Sequence, residues 1–467
     1  MKYIFRYIFV PNFVFSIFNI YATTSRPIIN IDYCIVGIAT PFIGRKGGIV
    51  LYFLLFLLDL VASFAPTYHL RPIILLNIFR DLSVFRCTTL ALLIALVFIS
   101  LLVMWYFTLK RELFSQQQLG LLSRSTLILT SLLIILADIV NGSNGFVRTR
   151  EAVFINYNIC GSALLKICND IKISHNKSKL PPIMLKKSEF AMSRVHEDLL
   201  KDSLAEQNIV LVIVESWGIS KDSALNVAIT RPLGNLNLLS RYKVYSSVVP
   251  FHGSTVSAEL RELYGLRASD PKEIKSAISI PSILASRGYK TIALHGFMPN
   301  FFGRNEWYPK AGFGNTLFID DIKKLQTTND LCGSTNFRGI CDDAVPSMIK
   351  QLLLEKTGGP SNKPKLIYWL TLNSHYPYGP PSHSTHFNCK SFGGSVSNQA
   401  VCNLSSTLYG VFSSLAKLID DPDIPATRFV IVGDHSPPFL MRSNEGLYNS
   451  AYVPMIEFIP KKHEDTH

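Results

Sequence analysis

A threonine hydroxyl, two carboxylates and imidazoles stand in this chain where apolar segments end. Thr255 follows Gly253 and Ser254 in F-H-G-S-T-V-S-A-E-L-R-E-L-Y-G-L (251–266), at the predicted start of a short helix. Glu215 closes the run N-I-V-L-V-I-V-E (208–215), and His375 closes I-Y-W-L-T-L-N-S-H (367–375). Asp434 and His435 close F-V-I-V-G-D-H (429–435). Glu215, Thr255, Asp434 and His435 together make a hard, mostly oxygen site suited to one divalent metal ion, Mn²⁺ first, with Mg²⁺ or Zn²⁺ as alternatives. A hydroxyl is a weak nucleophile at neutral pH, and a bound cation lowers its pKa while neutralising a phosphoryl oxygen. A threonine at a helix N-terminus adds backbone N–H groups for an anion. His375 and Arg304 would hold the remaining phosphate oxygens, and His375 would protonate a leaving alkoxide.

Each of these residues has an ordinary reading on its own. A threonine after Gly-Ser is usually an N-cap, a strand-terminal Glu is usually solvated, and Asp-His after Gly is often a turn. His252 and His295 read equally well as structural. The signal is the order: Glu at a strand end, G-x-T about forty residues on, then S-H-x-P, then G-D-H.

The elements that must position these groups alternate. Apolar strand-like runs fall at 208–215, 290–295, 366–372, 428–433 and 454–459, with helical patterns between them, as at Ile280–Arg287 and Ser405–Leu418. Alternation of buried strand and helix predicts an α/β domain over 208–467 with a mostly parallel central sheet. Sites in such sheets lie beyond the C-terminal strand ends, where Glu215, His295, His375, Asp434 and His435 stand.

The first 141 residues are of another kind. The chain is 48% hydrophobic over 467 residues, and the apolar residues concentrate there, which predicts a helical transmembrane bundle. Gly48–Ala65 and Thr88–Leu109 are each long enough to cross about 30 Å of hydrocarbon. Leu127–Val140, Tyr3–Tyr21 and, weakest, Ile28–Ile43 bring the expectation to about five helices, with Asp59, Asp138 and Asp32 as interruptions. Tyr68–Phe79 is too short to span and reads as an interfacial segment or a loop. A cleavable signal peptide does not fit, because further spans follow the first.

With the N-terminus inside and five spans, Lys2, Arg6, Arg45, Lys46, Lys110, Arg111 and Arg124 are cytoplasmic, against Arg26, Arg71, Arg80 and Arg86 outside. That bias puts everything after residue 141 outside the inner membrane. Four spans would put it in the cytoplasm. Residues 142–207 read as juxtamembrane linker, including a helix over Ser188–Glu206.

The cysteines decide between the two counts. Cys332/Cys341 and Cys389/Cys402 are short-range pairs among Gly, Ser and Asn, as in disulfide-clipped loops, and disulfides imply an oxidising compartment. Cys160/Cys168 forms a third, weaker pair, since eight residues on a helix span roughly 12 Å. The net charge of +13 suits an anionic lipid or polymer surface. No zinc finger, helix-turn-helix or aromatic RNA-binding pattern supports nucleic acid.

The set and its order resemble the alkaline-phosphatase/sulfatase superfamily, and within it the membrane-bound lipoteichoic acid synthase and phosphoglycerol transferase group. The resemblance covers 208–460 by motif and the N-terminal half by layout. It implies metal ligands at Glu215, Thr255, Asp434 and His435, a threonine nucleophile at Thr255 and a phosphate-binding histidine at His375. The stretch H-G-F-M-P-N-F-F-G-R-N-E-W-Y-P-K-A-G-F (295–313) resembles the family's headgroup segment. It implies substrate contacts at His295 and Arg304, with Phe302 where the lipoteichoic acid enzymes carry a tryptophan, and Trp307 as a nearby substitute. G-D-H is followed by S-P-P-F, unlike the phosphoethanolamine transferases, and no C/S-x-P-x-R surrounds Thr255, unlike formylglycine sulfatases.

The resemblance implies a membrane-anchored phosphotransferase. It would move a phospholipid headgroup, phosphoglycerol from phosphatidylglycerol, through a phosphothreonine to an envelope glycan or lipid-linked acceptor. Phosphoethanolamine transfer, a phosphodiesterase and a non-catalytic sulfatase-like membrane protein are the alternatives. The loop Pro377–Cys402 is a candidate acceptor wall by position, or a clipped surface loop.

Overall fold

The computed structural model describes residues 11–13, 15, 26–65, 160–177, 182–201 and 207–461, except 235, 275, 327–329, 335–336, 356–362, 382–386, 397, 440–443 and 445. These residues fall into two compact units. One holds the chain up to Lys179 with Phe439–Glu445, and the other holds Leu180–Pro438 with Gly446–His467.

In the first unit, helix α1 (Tyr33–Phe64) is broken at Gly44, which adopts φ 73°. Within it, Lys46–Ser63 is the one stretch among the described residues long and apolar enough to cross a membrane. Ile28–Ile43 does not form a separate span. Ile29–Asn30 is a short strand paired in parallel with Cys160–Gly161, and Tyr33–Ile43 is a helical arm shorter than a bilayer crossing needs. Of the three acidic interruptions, Asp138 lies outside the described residues, and Asp59 and Asp32 are satisfied internally. Asp59 takes Arg26 Nε and Nη2 at 2.9–3.0 Å, with Tyr33 Oη and Ser63 Oγ. Asp32 accepts from Ser162 Oγ and from the Leu164 N–H at the start of α2 (Ala163–Lys177).

No disulfide joins Cys160 to Cys168. Cys160 is buried in its strand and Cys168 is exposed on α2, so the two thiols face different surroundings. The expected spans at Thr88–Leu109 and Leu127–Val140, nearly all of Tyr3–Tyr21, and the interfacial stretch Tyr68–Phe79 lie outside the described residues.

The second unit is a three-layer α/β domain. In chain order its sheet strands are β1 (Asn208–Val214), β2 (Tyr242–Pro250), β3 (Lys290–His295), β4 (Asn315–Leu317), β5 (Lys365–Leu370), β6 (Thr427–Gly433) and β7 (Tyr452–Pro460). Their spatial order is β2-β7-β6-β1-β5-β3-β4. The pairs β6-β1, β1-β5, β5-β3 and β3-β4 are parallel, and β7 alone runs against the rest. β1 is central. Ile209 to Val214 are fully buried without alternation, as a parallel strand covered on both faces requires.

Two strands escaped the sequence reading. β2 is an edge strand whose side chains are mostly exposed, so its hydrophobic signal is sparse, and β4 has three residues. The linker helix also differs. A single 3₁₀ turn at Lys187–Glu189 precedes helix α3 (Ser193–Leu200), and Phe190, Met192, Val195 and Leu199 are buried in the core of the α/β unit. This stretch is part of the domain, and 202–206 lie outside the described residues.

Candidate active site

The register sets the site. Val214 pairs with Gly433, Ile213 with Leu370, and Leu370 with His295, so β1, β6, β5 and β3 end at one level. Their next residues deliver Glu215, Asp434, His435 and, one turn of loop further, His375. β1 turns sharply there, with Ser216 at φ 55° in the left-handed region that non-glycine residues seldom enter. The close packing needs Gly433, where a Cβ would lie 2.0 Å from the Trp217 carbonyl oxygen.

Thr255 opens helix α4 (Thr255–Tyr264), but it is not the cap. Ser254 holds that position with an extended backbone and makes no side-chain capping bond. The Thr255 hydroxyl instead donates to Glu215 Oε2 at 3.1 Å and lies 3.5 Å from His435 Nε2. The hydrogen bond of its first residue to Glu215 thus brings the N-terminus of α4 to this end of the sheet. Arg261 locks the helix in place, donating to the carbonyls of Pro250 and Gly433 and to Glu262.

Glu215, Asp434 and His435 are all buried and offer one ligand atom each within 4.8 Å of one another. Asp434 Oδ1 accepts from the N–H groups of Ser216 and His435 at 2.7 and 2.6 Å. His435 Nδ1 must donate to the Ser436 carbonyl at 3.0 Å, which leaves a lone pair on Nε2. That lone pair faces Asp434 Oδ2 at 3.2 Å and Glu215 Oε1 at 3.5 Å. Three ligand atoms thus converge, and among the described residues Asp434 Oδ2 is a buried oxygen with no hydrogen-bond partner. A divalent cation is the species this donor set fits.

The electrostatics agree. Burial, then the neighbouring Asp434 charge, pushes the Glu215 carboxyl well above its usual range, and burial raises Asp434 as well. Burial lowers His435 to about 4, so the imidazole is a neutral ligand.

The remaining expected residues divide. His375 is half-buried, its Nδ1–H on the Tyr376 carbonyl at 2.7 Å, and burial lowers its pKa to about 4. A neutral ring of this tautomer accepts a proton at Nε2. His295 is buried with Nδ1–H on the Leu370 carbonyl at 3.2 Å, and its Nε2 has no partner among the described residues.

Arg304 is fully buried on helix α5 (Arg304–Lys310). Its Nε and Nη2 engage Glu259 at 2.8–3.2 Å, and Nη1 donates to the Phe301 carbonyl at 3.2 Å. It can therefore reach a phosphate only with the N–H groups that Glu259 leaves over. Trp307 is buried on the same helix. It packs edge-on to Tyr308 inside the main core. Phe302, at φ 57°, is only part-buried and lies 5.4 Å from the Arg304 guanidinium.

Sequence reasoning missed Glu259. It sits one turn after Thr255 and also accepts from the hydroxyls of Tyr308 and Tyr368, linking the helix of Thr255 to Arg304. A charge in A-E-L-R-E-L reads as a solvated helix face, so nothing short of the fold reveals that both Glu259 and Arg261 point inward.

A parallel α/β sheet with a buried threonine, two carboxylates and a histidine at its strand ends defines an alkaline-phosphatase-like domain. The sulfatase family profile matches residues 207–456, more than half of the chain, and the chain belongs to that family. Lipoteichoic acid synthase 2 of Bacillus subtilis is 26% identical over 160 residues, which are 34% of this chain and 22% of the relative. The match thus spans about a fifth of that protein's length. Among solved structures, the lipoteichoic acid synthase LtaP from Listeria monocytogenes aligns with a TM-score of 0.41 at 16% identity, covering 55% of this chain and 66% of that one. The periplasmic domain of EcEptC from Escherichia coli, in complex with Zn, gives 0.38 at 17%, covering 56% and 76%. The Streptococcus pyogenes phosphoglycerol transferase GacH, in complex with sn-glycerol-1-phosphate, gives 0.36 at 15%, covering 61% and 74%.

Proposed function

We propose that this protein is a membrane-anchored phosphotransferase that moves a phospholipid headgroup, phosphoglycerol from phosphatidylglycerol, through Thr255 to a glycan or lipid-linked acceptor in the envelope. The observation that carries the reading is the Thr255 hydroxyl, aimed at Glu215 Oε2 beside the three convergent ligand atoms. Glu215, Asp434, His435 and the threonine oxygen would hold a divalent cation. When bound, that ion lowers the hydroxyl pKa and screens the phosphoryl oxygens.

The chain's own groups supply the rest. The Thr255 proton passes to Glu215 Oε2 as Oγ1 bonds to phosphorus. The bond from phosphorus to the diacylglycerol oxygen breaks, and the leaving alkoxide takes a proton from water. The acceptor hydroxyl then attacks the phosphothreonine and gives its proton to His375 Nε2, which passes it to water; the Thr255 oxygen leaves phosphorus and takes back the proton held on Glu215. First-turn N–H groups of α4 hold the non-bridging oxygens through both steps.

Membrane anchorage rests on Lys46–Ser63, and the extracytoplasmic placement rests on the two disulfides, Cys332–Cys341 and Cys389–Cys402. The span count alone does not support it once Ile28–Ile43 is removed. Multi-pass insertion in the inner membrane remains part of the proposal through the other apolar stretches.

Incubating the purified protein in lipid vesicles with labelled phosphatidylglycerol or phosphatidylethanolamine tests the donor. Diacylglycerol is expected from phosphatidylglycerol. Release from phosphatidylethanolamine alone would favour the phosphoethanolamine alternative, and release from neither would overturn transferase function. A labelled headgroup recovered only in water would identify a phosphodiesterase.

A further inference from the structure

The chain between β4 and β5 contains a small hairpin that the chemistry above does not use. Leu331–Cys332 pairs antiparallel with Gly339–Ile340, and the Cys332–Cys341 disulfide closes it. Its outgoing arm is tied to two strand ends of the site. The Ile340 N–H donates to the Gly296 carbonyl at 3.0 Å, just beyond His295. Gly339 approaches that carbonyl so closely that a Cβ would meet it at 2.2 Å. The Asp342 carboxylate accepts from the N–H groups of Leu372 at 2.9 Å and Asn373 at 2.6 Å. Asn373 answers with its side chain, accepting from the Asp342 N–H at 2.7 Å and donating to the Ile340 carbonyl at 3.2 Å.

Within this loop, Phe337 lies against His375, with ring centroids 3.8 Å apart and planes at 31°. Its next ring contacts are Phe301 at 5.8 Å and Phe297 at 6.1 Å. Phe337 is only half-buried, so core burial does not account for it, and its shortest ring contact is an ionisable side chain. With Phe337 on one face and Nδ1–H spent on Tyr376, the imidazole has Nε2 as its one uncommitted polar atom.

We propose that Phe337, held by the disulfide-closed hairpin, is a positioning residue for His375 that fixes the direction of its Nε2. This rests on the reading of His375 as the group facing the transferred phosphate. A half-buried histidine on a loop would otherwise sample several rotamers, and pre-paid orientation is a large part of what a proton-accepting group contributes.

The test uses the full chain in vesicles containing phosphatidylglycerol. Phe337→Ala should lower kcat by about ten- to a hundredfold with the donor KM little changed, and Phe337→Tyr should restore it. In a His375→Ala background, Phe337→Ala should add no further loss, because the two changes remove one interaction. Equal losses in both backgrounds, or no loss in the first, would overturn the inference. A second readout does not depend on turnover: carbethoxylation of His375 by diethyl pyrocarbonate, followed by peptide mass spectrometry. Labelling should be faster in Phe337→Ala and in the Cys332→Ser/Cys341→Ser double variant than in the parent, and unchanged labelling would overturn the inference. If the parent protein releases no diacylglycerol, the transferase reading falls and labelling alone decides the role of Phe337.

Discussion

Thr255→Ala is expected to abolish headgroup transfer, by on the order of 10⁴-fold or more, while leaving the fold intact. The lost hydroxyl donates to Glu215 Oε2 at 3.1 Å and lies 3.5 Å from His435 Nε2, and a hydrogen bond of that kind contributes about 1 kcal/mol. Thr255 occupies the first turn of α4 without capping it, and alanine is a good helix former there. The buried side of α4 is held by Arg261, Glu259 and Glu262, none of which touches the hydroxyl. Thr255→Ser should keep measurable turnover, because it keeps the oxygen. Turnover and melting curves on the same preparations separate the effects. Full transfer by Thr255→Ala would remove the nucleophile assignment. A melting midpoint that collapsed with activity would make Thr255 a structural residue.

Metal removal should have the second largest effect, and its sign is set by the unpaired acceptors. Glu215 and Asp434 share a buried site, and both carboxyls are pushed up when no cation screens them. Chelation should therefore eliminate turnover and lower stability. Readdition of Mn²⁺ to a hundredfold excess over Kd contributes about 2.7 kcal/mol, or about 5–10 °C in the melting midpoint of a domain this size.

Asp434→Asn gives the opposite pattern. Its Oδ1 can still accept from Ser216 and His435, and its Nδ2 supplies the hydrogen missing between Oδ2 and His435 Nε2. The variant should melt at or above the metal-free parent, respond little to Mn²⁺ and transfer nothing. A large Mn²⁺ shift in Asp434→Asn would contradict the ligand set.

The pH dependence follows from the same groups. His375 and His435 have folded pKa values depressed to about 4. Their contribution to stability is present above the unfolded value near 6.5 and is lost as pH falls from there towards 4. Cation binding weakens over the same fall, because protons compete for His435 and the carboxylates.

The α/β domain was legible because its central strands are continuous apolar runs that end in polar residues. His295 is the last residue of its strand, and Glu215, Asp434 and His435 lie one or two residues past a strand end that periodicity locates. Thr255 was legible through G-S-T before a helical pattern, although its hydroxyl serves Glu215 and not the helix end. What the sequence does not show depends on tertiary contacts: the pairing of Arg304 with Glu259 and the burial of Trp307 in the core appear only in the fold.

The two loop disulfides were readable from spacing and composition. Cys160 and Cys168 had the spacing without the environment, since one is in a buried strand and the other on an exposed helix face. The Phe190–Leu200 segment reads as linker because its apolar residues are broken up by charged ones, yet Phe190, Met192, Val195 and Leu199 are turned into the core while Leu200 stays exposed.

The central claim is that Thr255 carries the transferred group. Acid-quenching the Mn²⁺-loaded protein during turnover of phosphatidylglycerol, without acceptor, and mapping its peptides by mass spectrometry tests this directly. A peptide spanning Thr255 heavier by one glycerophosphate, absent in Thr255→Ala, is the expected result. Diacylglycerol release at full rate, with that peptide unmodified and the adduct on another residue, would contradict it.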